Sequence, residues 1–347
     1  ARVAHNGVHV KRHAWPVPFT ALATLAAHPA AAAPGAGLPS WNEGPAKRSI
    51  VQFVQTTTDP ASPQFVPPAE RIATFDQDGT LWVEQPIYSQ VIYCLERVPA
   101  LIKTRPQLAT QEPFKTVLSG DGSALVRLTK DDLMKVLEAA LAGMSVEEFR
   151  SQVRAWLEHA RDPRWQRKYT ELTYLPMQEL MRYLRANGYR TYIVTGGGQA
   201  FVRVFAEETY GIPPEQVVGS AGGTSYGYDD HGNPVLTKEA KLVLMDDNVG
   251  KPQGIELMIG RRPHAAFGNS VGDRQMLEYT TAGKGARLAM LVLHDDATRE
   301  YAYGPARGLP ESRVGSFPAA LDEEAQKKGW IVISMKEDWR QIFAFER

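Results

Sequence analysis

Phe75-Asp76-Gln77-Asp78-Gly79-Thr80-Leu81 places two carboxylates two residues apart, directly after the apolar, β-branched run Arg71-Ile72-Ala73-Thr74-Phe75. Residues two apart at a strand end can point to the same side. Carboxylates brought that close repel, so they call for a cation or a proton between them. A hard, oxygen-seeking ion such as Mg²⁺ suits such ligands. Gly79 permits the sharp exit that the chain needs after them.

Three further groups have the right chemistry to join them. Ile193-Val194-Thr195-Gly196-Gly197-Gly198 puts a hydroxyl at a strand end, followed by several backbone N–H groups. Thr195, Gly196 and Gly197 could thus cradle a phosphate. No Gly-Lys-Ser/Thr follows, so this is not a P-loop. Gly268-Asn269-Ser270-Val271-Gly272-Asp273 can supply an amide oxygen and a carboxylate to a metal. It can equally be a polar helix start, with Asp273 stabilising the helix. A site that joins carboxylates to a phosphate dianion also needs fixed positive charge, and Lys251, Lys241 and Lys238 are the candidates.

The elements that must position these groups follow from periodicity. Residues 71–75 read as a buried strand. From Ile87 to about Thr173 the pattern is helical. Thr129–Ala142 has apolar residues at helical spacing and stops at Gly143, and Ser145-Val146-Glu147-Glu148 is a capping box opening the next helix. After Pro176, helices at 177–186, 199–210, 252–259 and 273–279 alternate with strands at 189–194, 217–218, 265–267, 288–293 and 330–334. A hairpin is expected within 220–244, turning at Asp229-Asp230-His231-Gly232-Asn233. Residues 41–68 read as a connecting segment, and 301–328 as loops or packing arms. Such alternation implies a parallel sheet covered on both faces, with ligands at the carboxyl ends of its strands. All the groups singled out except the lysines lie at such ends.

In this order the motifs resemble those of the haloacid dehalogenase superfamily, and its phosphatases more than its dehalogenases. The resemblance covers roughly residues 70–300 and looks closest to the phosphoserine-phosphatase-like branch. It implies an α/β fold, a Rossmann-like doubly wound parallel sheet core with an inserted helical cap. The core would comprise 41–84 and 174–347, and the cap 85–173. It also implies roles. Asp76 is the nucleophile that forms an aspartyl-phosphate, and Asp78 is the acid and then the base, its carbonyl also on the metal. Thr195 binds the phosphoryl oxygens and Lys251 is the motif lysine. Asn269 and Asp273 are the fourth motif's metal pair. That motif usually opens with Asp, and the Asn here makes Asp273 the main ligand. Metal ligands are then Asp76, Asp78, Asp273 and Asn269, and the cofactor is Mg²⁺. The second aspartate separates phosphatases from dehalogenases, because an alkoxide leaving group gains from a proton. Glu84, Gln85 and Tyr88 follow the nucleophile and are expected to face the substrate, a small phosphorylated metabolite. Arg150, Arg154, Trp156 and Arg161 could line a cap surface and Arg203 could reach an anion, but all five read more readily as solvated surface. A phosphotransferase or phosphomutase would carry the same motifs, as would a phosphate- or metal-binding protein without turnover.

Composition sets bounds. Lys+Arg and Asp+Glu each total 39, which removes a general electrostatic case for nucleic acid or an anionic membrane as partner. The single cysteine, Cys94, lies in an apolar run and is expected to be a buried thiol. Residues 1–40 combine a basic start, a short apolar run and Ala-rich sites, which reads as a signal peptide or an Ala/Pro-rich tail. Export to the periplasm or outside is the expectation, a cytoplasmic location the alternative. No other stretch approaches the length of a membrane span.

Overall fold

The computed structural model describes residues 37–346. Its strands are β1 (Ile72–Phe75), β2 (Arg190–Gly198), β3 (Val217–Tyr228), β4 (Pro234–Leu244), β5 (Ala265–Gly268), β6 (Leu288–Leu293) and β7 (Ile331–Ser334). They form one sheet in the order β4-β3-β2-β1-β5-β6-β7. Every pairing is parallel except β3 with β4. This is the expected Rossmann-like α/β sheet. β1, β5 and β6 are buried along their whole length, as near-continuous apolar runs covered on both faces should be.

Neighbouring residues on a strand feed opposite faces of the sheet. Ile193, Phe267 and Met290 belong to one core, with the Phe75 and Phe267 rings stacked at 4.5 Å. Val194, Ala266 and Leu291 belong to the other, with Ile255, Met276 and Leu277. The register pairs Phe75 with Ile193 on one side and with Phe267 on the other. The carboxyl ends of β1, β2 and β5 therefore meet, which brings the regions of Asp76, Thr195 and Asn269 together.

Helix α1 (Pro45–Thr58) occupies part of the segment expected to be a connector. Pro45 suits a first helical turn, and Ile50, Phe53, Val54 and Thr57 make one buried face at the spacing a helix requires. Between β1 and β2 lies the helical insertion: α2 (Ser89–Thr104), α3 (Phe114–Ser119), α4 (Gly122–Val126), α5 (Lys130–Leu141) and α6 (Val146–His159). Thr129 and Asp132 form a capping box at the start of α5, and the Ser145 side chain caps α6. The chain leaves and re-enters the sheet side by side, since Val83 N–H donates to the Leu172 carbonyl (3.2 Å) and Tyr174 N–H to that of Leu81 (2.8 Å).

The remaining helices are α7 (Leu175–Ala186), α8 (Gln199–Val202), α9 (Ala206–Tyr210), α10 (Gly250–Met258), α11 (Arg274–Thr281), α12 (Ala319–Lys328) and α13 (Met335–Asp338). The single helix expected at 199–210 is two, α8 and α9. The break lies where Phe205 turns to stack on Trp82, 4.6 Å away. The two-residue strand expected at 217–218 is the start of β3. That strand runs parallel to β2 and then carries on, antiparallel to β4, as the first arm of the hairpin. The segment 301–328 includes α12 and buries Tyr303 and Phe317.

The β4 strand also touches the insertion. Gly143 N–H donates to the Lys238 carbonyl at 2.8 Å, and Lys238 N–H to that of Met144 at 2.9 Å. Among the described residues no helix is long and apolar enough to cross a membrane. The expected signal peptide lies almost wholly in residues 1–36, outside the described residues.

Candidate active site

Asp76 leaves the end of β1 with its N–H on the Phe267 carbonyl of β5 (2.9 Å). Lys251, in the first turn of α10, is 1 % exposed. Its Nζ donates to Asp76 Oδ1 (2.7 Å), Asp273 Oδ1 (2.7 Å) and the Val194 carbonyl (2.8 Å). Of the three candidate lysines, this is the one that reaches the carboxylates. Lys241 is exposed on β4, and Lys238 sits over the Phe149 ring.

Burial opposes the charge on Lys251, but Asp273 and Asp76 outweigh it and hold the ammonium above its ordinary range. Two carboxylates then share one cation. Burial first, and repulsion from Asp273 second, push the Asp76 carboxyl well up despite Lys251. A second cation at this point would relieve that crowding. Asp78 is half-buried; burial raises its carboxyl to about 6, with the Trp82 indole N–H pulling the other way. That N–H donates to Asp78 Oδ1 at 2.7 Å and fixes the carboxyl's orientation.

The glycines beside these acids have steric reasons. Gly79 has φ +74°, and a Cβ there would come within 2.1 Å of Asn269 Nδ2 and 2.4 Å of Glu84 Oε1. On β2, Thr195 Oγ1 accepts from Gly197 N–H (3.0 Å), and Gly198 N–H donates to Gln90 Oε1 (2.7 Å). A Cβ on Gly198 would meet the Gln90 amide at 2.5 Å.

Asp273 faces two ways. Its Oδ1 takes the lysine, and its Oδ2 accepts from the N–H groups of Asn269 (2.9 Å) and Ser270 (3.1 Å). It is thus both a helix-start residue and part of the acidic cluster. The Asn269 amide is braced at both ends: its Oδ1 accepts from the Thr80 hydroxyl (3.2 Å) and its Nδ2 donates to Glu84 Oε1 (2.7 Å).

Glu84 belongs to a buried network that sequence reasoning missed. The Tyr303 hydroxyl donates to the same Oε1 at 2.7 Å. The Tyr303 ring stacks on His294 at 4.4 Å. His294 in turn bridges the Gly79 carbonyl (2.7 Å) and Glu300 (2.8 Å). Burial pushes the Glu84 carboxyl up to about 8, with His294 the largest opposing influence. One signal was available, because His294 directly follows β6 and so stands at a strand's carboxyl end.

A cavity of about 350 Å³ opens on Asp76, Asp78, Glu84, Tyr88, Thr195, Gly196, Gly197, Lys251 and Asp273. Asn269 braces the loop behind it. Gln85 is not in the cavity wall. Its Nε2 donates to Ser312 Oγ (2.8 Å) and the Val314 carbonyl (3.1 Å), because the 301–328 segment packs over the turn that follows Glu84. Arg150, Arg154, Trp156, Arg161 and Arg203 are also outside the wall. Trp156 stacks on Tyr169 at 5.4 Å, and Arg203 donates to the Val217 carbonyl.

Among the described residues no three acidic, histidine or cysteine side chains already form a closed metal cage. Asp76 and Asp273, crowded onto one ammonium beside an open cavity, are nonetheless the donor set that Mg²⁺ favours. That ion takes one or two carboxylates, keeps waters and accepts substrate phosphate oxygens, so these residues fit it.

A family model described as haloacid dehalogenase-like hydrolase matches residues 73–278, more than half of the chain. No curated protein matches by sequence. Among solved structures, a functionally unknown protein from Anaerococcus prevotii DSM 20548 is 15% identical, with a TM-score of 0.46, over 72% of this chain and 86% of that one. A protein of unknown function from Bordetella pertussis Tohama I is 16% identical, TM-score 0.46, over 76% and 98%. A phosphoserine phosphohydrolase-like protein from Francisella tularensis subsp. tularensis SCHU S4 is 18% identical, TM-score 0.35, over 65% and 88%.

Proposed function

Because this chain belongs to the haloacid dehalogenase-like hydrolase family, we propose that it is a Mg²⁺-dependent phosphomonoester hydrolase in which Asp76 becomes transiently phosphorylated. The observation that carries this reading is the convergence of Asp76, Asp273 and Lys251 within hydrogen-bond distance, with Asp78 and Thr195 on the same cavity. A site built only to bind phosphate has no use for a nucleophile with an acid two residues on.

The chain's own residues account for the chemistry. Asp76 Oδ attacks phosphorus opposite the leaving oxygen, forming the acyl-phosphate as the ester P–O bond breaks. Asp78, with its carboxyl raised to about 6, gives its proton to the departing alcohol. The Thr195 hydroxyl and the Lys251 ammonium stabilise the charge spread over the phosphoryl oxygens, beside the glycine strip that lines the cavity. A water then loses a proton to Asp78 and attacks phosphorus, releasing inorganic phosphate and restoring the Asp76 carboxylate. A Mg²⁺ bound by Asp76, the Asp78 carbonyl and Asp273 would neutralise the repulsion between nucleophile and phosphate. Asn269, with its amide already shared between Thr80 and Glu84, orients the loop that presents Asp273. The helical insertion serves as the cap that shields the phosphoenzyme from adventitious water.

The test is release of p-nitrophenol from p-nitrophenyl phosphate with Mg²⁺, with EDTA, and by Asp76→Asn. Expected is turnover that needs the metal and falls to near background in the variant. Wild-type rates in Asp76→Asn would remove the nucleophile. A competing alcohol that captures most of the phosphate would make the enzyme a phosphotransferase.

A further inference from the structure

The wall of the cavity away from the acids is chemically unlike its phosphate end. It is built by Leu133, Met134 and Leu137 of α5, Phe149 of α6, Phe201 of α8 and Leu242 of β4. Phe149 and Phe201 are buried, and Leu133, Met134 and Leu137 are half-buried. Most other charged residues along that wall, Lys130, Glu138 and Glu239, are exposed. Lys238 differs from them, at 8% exposed. Its Nζ stands 4.6 Å from the centroid of the Phe149 ring, and among the described residues it makes no ion pair. Burial and the neighbouring Arg150 hold its ammonium below the usual range. A buried cation without a counter-charge, on the wall of an apolar cavity, is stabilised by an anion that arrives with the ligand.

We propose that the substrate is a phosphomonoester of an apolar, aryl- or alkyl-bearing alcohol whose far end carries a second anionic group, paired with Lys238. This rests on the phosphatase reading and adds the leaving group to it. The phosphate goes to Asp76 and Thr195, the hydrocarbon lies between α5 and the Phe149 and Phe201 rings, and the distal carboxylate or phosphate meets Lys238. Small polar esters such as phosphoserine or glycerol phosphate would leave that wall solvated and unused.

Three alkyl phosphates with alkoxide leaving groups test the idea: 2-phenylethyl phosphate, its para-carboxylate, and O-phosphoserine. Wild type is expected to show kcat/KM about tenfold or more higher for 2-phenylethyl phosphate than for O-phosphoserine, the range a hydrophobic subsite provides. The para-carboxylate is expected to be better still. Lys238→Met should remove the advantage of the carboxylate over 2-phenylethyl phosphate. Leu137→Asn should cut kcat/KM for 2-phenylethyl phosphate about tenfold, through KM rather than kcat. Equal or better use of O-phosphoserine overturns the apolar subsite, and an unchanged carboxylate advantage in Lys238→Met overturns the anion pairing. If no ester is turned over, the phosphatase reading has failed instead. Calorimetric binding of the same three esters to Asp76→Asn then decides the subsite by itself, since tighter binding of O-phosphoserine overturns it and tighter binding of the carboxylated ester supports it.

Discussion

The Tyr303 hydroxyl donates to Glu84 Oε1 over 2.7 Å although 219 residues separate the two in sequence. The bond ties the turn after the two aspartates to the segment that follows β6. Glu84 Oε1 also receives Asn269, so one carboxylate oxygen joins three parts of the chain. Removing the hydroxyl from a buried pair costs about 1–3 kcal/mol. Tyr303→Phe is therefore expected to lower the urea midpoint of unfolding by a corresponding amount at unchanged slope. An unaltered midpoint would mean that the brace contributes nothing.

Lys251→Met keeps the shape of the side chain and removes its charge. Asp76 and Asp273 are then buried together without their shared cation. Breaking such a pair from one side costs about 3–5 kcal/mol. Thermal unfolding in EDTA is expected to show a large loss, and added Mg²⁺ is expected to recover part of it. A variant as stable as wild type in EDTA would sink this account of the cluster.

Stability should also depend on His264, which lies before β5, at the opposite end of that strand from the acids. Burial first, then Arg287, lower its imidazole to about 4 from the ordinary 6.5. The fold thus disfavours the protonated ring. The sign follows: its contribution is intact above about 6.5, declines as pH falls from there to about 4, and is constant below. His264→Gln should flatten the pH dependence of unfolding free energy in that window relative to wild type. Parallel curves for the two proteins would contradict it.

Cys94 is fully buried in α2, and burial pushes its thiol up to about 12. The thiolate is the reactive form. Iodoacetamide at pH 8 should leave the folded protein unmodified and add one carbamidomethyl group once it is denatured in urea, as intact mass would show. Rapid labelling of the folded chain would mean that α2 opens readily.

The acids, Thr195 and the glycine strip were legible because each follows an apolar run, and chains of alternating strands and helices put such positions at one edge. The register that brings them together, Phe75 between Ile193 and Phe267, was implied by the parallel sheet. The bond from Tyr303 to Glu84 was not legible, since Tyr303 reaches it through tertiary packing that no local spacing encodes. Helix α1 is legible in its Ile50, Phe53, Val54 and Thr57 spacing, although the segment 41–68 reads as a connector as a whole. The break at 203–205 came from Phe205 packing on Trp82, a contact that overrides local helix propensity. Among the lysines, the residues alone offered three, the motif resemblance pointed to Lys251, and in the fold it is Lys251 that reaches Asp76 and Asp273.

The two main-chain bonds between Lys238 and residues 143 and 144 have a consequence for solubility. β4 is one of the two edge strands of the sheet, and an edge strand invites other chains to add to it. Leu236, Leu242 and Val243 on it are already exposed. By occupying the strand's outer rim at its middle, the insertion interrupts what would otherwise be a continuous template for self-assembly, so the same contact that walls the cavity also keeps one molecule from growing onto the next.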